Sequence, residues 1–106
     1  MQVIVVYCTF PSEEKARQIA TVLVESQLAA CVNLLPSVQS VYSWQGKVEH
    51  AQEVLAIIKT SAPGYAALQA KIQELHPYEV PEIIALPVQQ GSPAYLQWVH
   101  DSISTK

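Results

Sequence analysis

The residues with most chemistry to offer are two cysteines, Cys8 and Cys31, and the stretch HPYEVPE at 76–82, which packs an imidazole, a phenol, two carboxylates and two prolines into seven positions. A Cys8–His76 dyad is conceivable as nucleophile and base. Cys8 sits inside an apolar run, however, where desolvation disfavours its thiolate, and neither an orienting partner nor an oxyanion donor is visible. Gly46, Gly64 and Gly91 are isolated, so there is no Walker loop and no dinucleotide fingerprint. No nucleophile elbow, HExxH or paired-cysteine zinc pattern occurs either. His50 and His100 lack a partner ligand three or four residues away and read as surface residues. No catalytic residue is assigned, and the chain is not expected to be an enzyme.

The elements that must position these groups follow from periodicity. QVIVVYCT (2–9) is β-branched and aromatic without a helical period, which suits a strand covered on both faces. Ser12, followed by Glu13 and Glu14, caps a helix expected over 13–26, with Ala16, Ile19, Ala20 and Leu23 as its buried stripe. Two apolar runs around Gln45 and Gly46 predict a long hairpin, with Gly46 taking a positive φ at the tip. Pro36 cannot donate to a ladder, so the outgoing strand is an edge or carries a bulge there. The consecutive apolar residues 54–58 place the returning strand in the centre. APGYAALQAKIQEL is the second helix, with Pro63 in its first position and Pro77 ending it at His76. EIIALPV is a short strand, and SPAYLQWVHDSIS a terminal helix capped by Ser92, with Leu96, Val99 and Ile103 on one face and Tyr95 and Trp98 paired for packing.

This order predicts an α+β fold, the ferredoxin-like βαββαβ arrangement: a four-stranded antiparallel sheet with two helices on one face, a long central hairpin and an additional C-terminal helix. Right-handed crossovers put the first and third strands in the middle. The whole of 1–106 is read as one domain, since 106 residues suffice for one core only.

Half of the residues are hydrophobic and only 14% are charged, so the apolar surface exceeds what so small a domain can hide. A homo-oligomer is the expected remedy, and it would also satisfy the edge strands. The net charge of −3, with scattered Lys and Arg, argues against nucleic-acid and anionic-membrane partners. The opening MQVIVVYCTF lacks the basic region and cleavage site of a signal peptide and is too short to span a bilayer, so the chain reads as cytoplasmic, with reduced thiols.

Three stretches, LAACVN (28–33), VYSWQGKV (41–48) with IIKT (57–60), and HPYEVPEII (76–84), resemble the CutA divalent-cation-tolerance family in order and separation, as does the final YLQWV. The resemblance covers essentially the whole chain. It implies a tight homotrimer, similar in build to the PII signalling proteins, with sheet edges paired between subunits. It also implies a role in tolerance of copper and other divalent metals.

From that resemblance come two candidate sites. The family's metal binding is associated with a cysteine matching Cys8 and a pair of histidines before PY; here Leu75 replaces the first, leaving His76. Thiolate suits reduced copper and imidazole suits both copper states, so Cys8 and His76 are the metal candidates, expected at one rim of the sheet. Against this stands the plainer reading of a small buried hydrophobe and a helix-end histidine bonding a carbonyl. The second site is an inter-subunit cleft of Tyr42, Trp44, Glu53, Lys59, Tyr78 and Glu82, an aromatic wall with one ammonium and one or two carboxylates that could hold a small polar or anionic ligand. Its plainer reading makes the aromatics interface anchors and pairs Lys59 with a carboxylate across the interface. No obligatory cofactor is expected. The partners implied are copies of the chain and a metal ion, copper or another divalent metal, or a small ligand.

Overall fold

The β-branched N-terminal run forms strand β1 (Val3–Phe10) in the computed structural model, which describes residues 2–104. The extreme ends of the 1–106 domain therefore lie outside the described residues. Helix α1 (Glu13–Glu25) starts where Ser12 Oγ accepts the Lys15 N–H at 3.1 Å, with Glu13 and Glu14 in the first turn against the positive end of the helix dipole. It ends without a glycine. Gln27 takes the left-handed conformation (φ 59°) while the Leu28 N–H reaches back to the Leu23 carbonyl at 2.9 Å, closing the last turn.

Strands β2 (Cys31–Trp44) and β3 (Lys47–Ser61) form the long hairpin. Gln45 and Gly46 both have positive φ, 52° and 80°, the two-residue turn whose twist matches its strands. No atom lies within 4 Å of a Cβ placed on Gly46, so glycine is wanted there for its backbone and not for space. Pro36 meets both of its expectations: β2 is an edge strand, and its register slips between Leu35 and Val38, with Ser37 at φ 62°.

One boundary differs from the sequence reading. Pro63 lies in a 3₁₀ turn, Ala62–Gly64, and helix α2 proper spans Tyr65–Leu75. The Tyr65 N–H bonds the Ala62 carbonyl, a tighter turn that lets the extended chain at Ser61 enter the helix. Strand β4 is Ile83–Pro87 and helix α3 is Pro93–Ser102. Ser92 stands at the N-cap position of α3, but its side chain makes no capping bond; its carbonyl accepts from Leu96 N–H instead.

The sheet order is β2-β3-β1-β4 with every pair antiparallel, so β1 and β3 are central as the crossover rule requires. Alternate residues of β1, Ile4, Val6, Cys8 and Phe10, join Val54, Ala56 and Ile58 of β3 under Ala16, Ile19 and Leu23 of α1 and Leu68 and Ile72 of α2. That face is closed. On the other face α3 covers only one end, with Val99 and Ile103 against Val3 and Ala30. The rest of that face carries Val5, Tyr7, Leu35, Leu55, Ile57, Ile84 and Leu86, half-buried or exposed, in registered rows across the four strands. Among the described residues no helix is long and apolar enough to cross a membrane.

Candidate functional site

The dipeptide His76–Pro77 that follows helix α2 decides the geometry of the connector. His76 is the last capped position, with its N–H on the Ile72 carbonyl at 2.8 Å and its backbone extended (ψ 136°), because the proline that follows excludes the helical region. The segment 77–82 then runs without regular structure alongside the outer half of the hairpin. Between the two lies an open cleft of about 720 Å³, to which the hairpin contributes Ser40, Val41, Tyr42, Trp44 and Glu53, the connector Pro77 to Glu82, and β1 its Thr9. The bulge at Leu35–Val38 sets the phase of the outer strand. Beyond it Val38 pairs with Glu53, and the alternating residues Ser40, Tyr42 and Trp44 share one face with Glu53.

Glu53 is the buried acid of the cleft, 7% exposed, and its Oε2 accepts the Tyr78 hydroxyl at 2.6 Å. Burial, this bond and the Glu53 charge push the Tyr78 phenol well above its ordinary range, with Tyr42 adding to the effect. Tyr78 is therefore a fixed donor at any physiological pH.

Cys8 and His76 are brought to the same end of β1, but both are committed within the subunit. The His76 ring stacks on Phe10, with centroids 4.7 Å apart, and lies 4.7 Å from the Tyr78 ring. Its Nδ1 accepts the Tyr78 backbone N–H at 3.1 Å, which leaves Nε2 protonated to donate to the Thr9 carbonyl at 2.7 Å. Burial lowers its pKa more than the Thr9 bond and the Glu53 charge raise it, so the neutral ring is favoured. Cys8 is fully buried, and burial first, then the Glu82 and Glu53 charges, push its thiol up to about 12. Copper or zinc needs a thiolate and a free ring nitrogen. Neither is offered, and among the described residues no group of three His, Cys, Asp or Glu side chains is gathered to hold a metal. The residues present do not fit a resident metal.

Of the residues expected in an inter-subunit cleft, Tyr42, Trp44, Glu53, Tyr78 and Glu82 line this cleft within one subunit. Lys59 does not line the cleft of its own subunit. It belongs to the inner half of β3, directly opposite Cys31, and its ammonium bonds Asn33 Oδ1 and lies 4.0 Å from Cys31 Sγ. Two-residue periodicity puts Lys59 on the same sheet face as Glu53, six residues along the strand, too far to share the cleft. Cys31 also interacts with the Tyr95 hydroxyl of α3, whose pKa is raised by burial and by that contact. Tyr95 and Trp98 pack together with ring centroids 5.6 Å apart.

Residues 4–102 match the profile of the family described as CutA1 divalent ion tolerance protein. The chain belongs to this CutA1 family. It is 49% identical to the divalent-cation tolerance protein CutA of Thermus thermophilus over 98 residues, which cover 92% of this chain and 95% of that one. Protein CutA of Mus musculus is 52% identical over 94 residues, 89% of this chain and 53% of the mouse protein. The chain thus spans about half the length of the mouse relative. Two solved CutA1 structures superpose closely: that from Thermus thermophilus with a TM-score of 0.94 and 47% identity, covering 96% of this chain and 99% of the other, and that from Oryza sativa with 0.97 and 42%, covering 100% and 97%. The ferredoxin-like CutA1 fold is therefore shown by the strand order and by these superpositions together.

Sequence reasoning missed Thr9, Ser40, Val41, Pro77, Glu79, Val80 and Pro81 as cleft residues. Glu79 was visible within HPYEVPE. The hairpin residues depend on the phase change at the bulge, which Pro36 signals as an irregularity without giving its register.

Proposed function

We propose that this CutA1 chain serves divalent-cation tolerance as a cytoplasmic homotrimer that works through ligand binding in the Trp44–Tyr78 cleft. The observation that carries the reading is the cleft itself, a concave site with rings and carboxylates facing solvent beside a rigid connector. Self-association is supported by the open sheet face. Leu35, Ile84 and Leu86 are each more than 40% exposed on it, in one contiguous apolar surface with Ile57 and Tyr7. A trimer also gives the β2 and β4 edges somewhere to pair. Sedimentation at micromolar concentration tests this directly: a trimer is expected, and a monomer overturns it. The cleft is tested by thermal-shift screening of a metabolite panel against the trimer. A stabilising compound whose effect disappears in Trp44→Ala is expected, and an empty screen counts against the reading.

Direct copper binding is the second reading, supported by the arrival of Cys8 and His76 at the same end of β1 and opposed by the burial and the Glu82 and Glu53 charges that hold the thiol protonated. Binding there requires His76 to give up its Thr9 or Tyr78 bond. Anaerobic copper(I) titration against a competing chelator decides it. Saturation lost in both Cys8→Ala and His76→Ala supports a metal site, whereas weak uptake equal in all three proteins rejects it.

A further inference from the structure

We infer that the cleft selects a small alkylammonium cation, which reverses the anionic preference that Lys59 had suggested. The inference rests on the ligand-binding reading above and names the chemistry of its occupant. With Lys59 held by Asn33 on the inner sheet, the described lining residues include no Lys, Arg or His, while Glu53, Glu79 and Glu82 all contribute to the wall. An anion entering this cleft meets three carboxylates and no counter-charge; a cation meets the reverse. Lys47 lies across the hairpin from Trp44 but outside the lining.

Two features beyond the acidic charge point to a cation. The first is the aromatic content. Tyr42, Trp44 and Tyr78 line the same space, and the negative faces of such rings attract an ammonium group, tryptophan most strongly. The second is the state of Glu53. This side chain is more than nine-tenths buried, and only Oε2 has a hydrogen-bond partner among the described residues, the Tyr78 hydroxyl. Oε1 has no donor among the described residues and is not one of their buried unpartnered polar atoms, so it stays open to solvent and to an occupant of the cleft. A carboxylate held in place by one donor, with its other oxygen open, is a preformed acceptor for a positive group. Tyr78 cannot supply that charge. It fixes the carboxylate in place, through a phenol held protonated and a backbone N–H held by His76.

The test uses tryptophan fluorescence. The chain has two tryptophans, so Trp98→Phe leaves Trp44 as the sole reporter in an otherwise intact protein. Butyltrimethylammonium is titrated at low ionic strength, beside its neutral isostere 4,4-dimethylpentan-1-ol and the anion glutarate. Saturable quenching by the cation, at least tenfold tighter than by the alcohol and weakened by added salt, is expected. Glu53→Gln keeps an acceptor for the Tyr78 hydroxyl, and Glu82→Gln carries no structural bond; each is expected to weaken the cation at least severalfold with the fold retained by circular dichroism, and the melting temperature unchanged in Glu82→Gln. Equal binding of the alcohol makes the cleft merely apolar and overturns cation selection. Saturable binding of glutarate alone overturns it while leaving the cleft as a ligand site. No response to any of the three overturns both the cation inference and the cleft reading.

Discussion

Around His76 and in the cleft beside it, the chain places similar groups under opposite conditions. At His76 the ring is stacked on Phe10 and both nitrogens are bonded to the backbone of the same subunit, at Thr9 and Tyr78. In the cleft, Trp44 is 39% exposed, Tyr42 is 45% exposed, and Glu53 uses one oxygen of two. The first cluster is chemically richer on paper, with a thiol and an imidazole, yet it is closed. The second is made of side chains that would usually be read as packing or solvated surface, and it is the one with groups left to bind something. Reactivity in isolation is thus a poorer guide than whether an atom already has a partner.

The largest effect expected is on the closed side. Phe10 is 1% exposed and carries the His76 ring, so Phe10→Ala should cost about 3–5 kcal/mol in denaturant unfolding, the usual range for deleting a buried ring. A loss under 1 kcal/mol would mean that this end is looser than its geometry. His76→Ala comes next. It leaves the Thr9 carbonyl and the Tyr78 N–H without partners, which should cost about 1–3 kcal/mol for the buried member. If stability is unchanged but copper tolerance is lost in cells, His76 would belong with the functional groups and the comparison would break.

How far these two regions were legible in the sequence differs in the same way. The strands, the helices and the strand order followed from local pattern, because apolar spacing at two or near 3.6 residues is imposed by the faces that must be buried. Ser12 and Pro77 marked their helix ends because a cap and a missing N–H act locally. Gln27 could not be read so. Its left-handed conformation closes α1 as a glycine would, and nothing in its type announces that. The cleft was legible as a set of residues in Tyr42, Trp44, Glu53, Tyr78 and Glu82, since the hairpin and the rigid connector had to be neighbours. Lys59 lies away from the other five within the subunit, because alternation gives a face and not a position along it. His76 was ambiguous for a different reason: whether a ring nitrogen is free depends on the Thr9 carbonyl, 67 residues away in the chain.

Tyr78→Phe tests the link between the regions. It removes the donor to Glu53 Oε2 and should cost about 1.5–3 kcal/mol, the range for a hydrogen bond to a charged group. It should also weaken any cleft ligand by releasing the Glu53 carboxylate. A stability cost without any effect on ligand binding would place Tyr78 on the closed side only.

Acidification should distinguish the regions more gently. The His76 pKa is lowered in the folded protein, chiefly by burial, so below the ordinary histidine value near 6.5 the unfolded chain takes up a proton that the folded one resists. The contribution of neutral His76 is complete above that value and is lost as pH falls from it towards the lowered folded pKa. Glu53 opposes the shift and Lys15 adds to it. Denaturant midpoints measured between pH 7.5 and 5 should fall less in His76→Gln than in the parent protein. Equal slopes would show that other groups govern the acid response.

The smallest stability effect is expected at Trp44. Its ring is partly exposed at the mouth of the cleft, near the tip of a hairpin whose register is already set by the Gln45–Gly46 turn, so Trp44→Ala should change unfolding by no more than about 0.5 kcal/mol, as at surface sites. Sedimentation should also be unchanged, and any ligand effect abolished. A large loss of stability that deepens on dilution would have a different meaning. Trp44 would then be buried by another copy of the chain, the cleft would be a seam between subunits, and the open region would be closed by assembly as firmly as His76 is closed by Phe10.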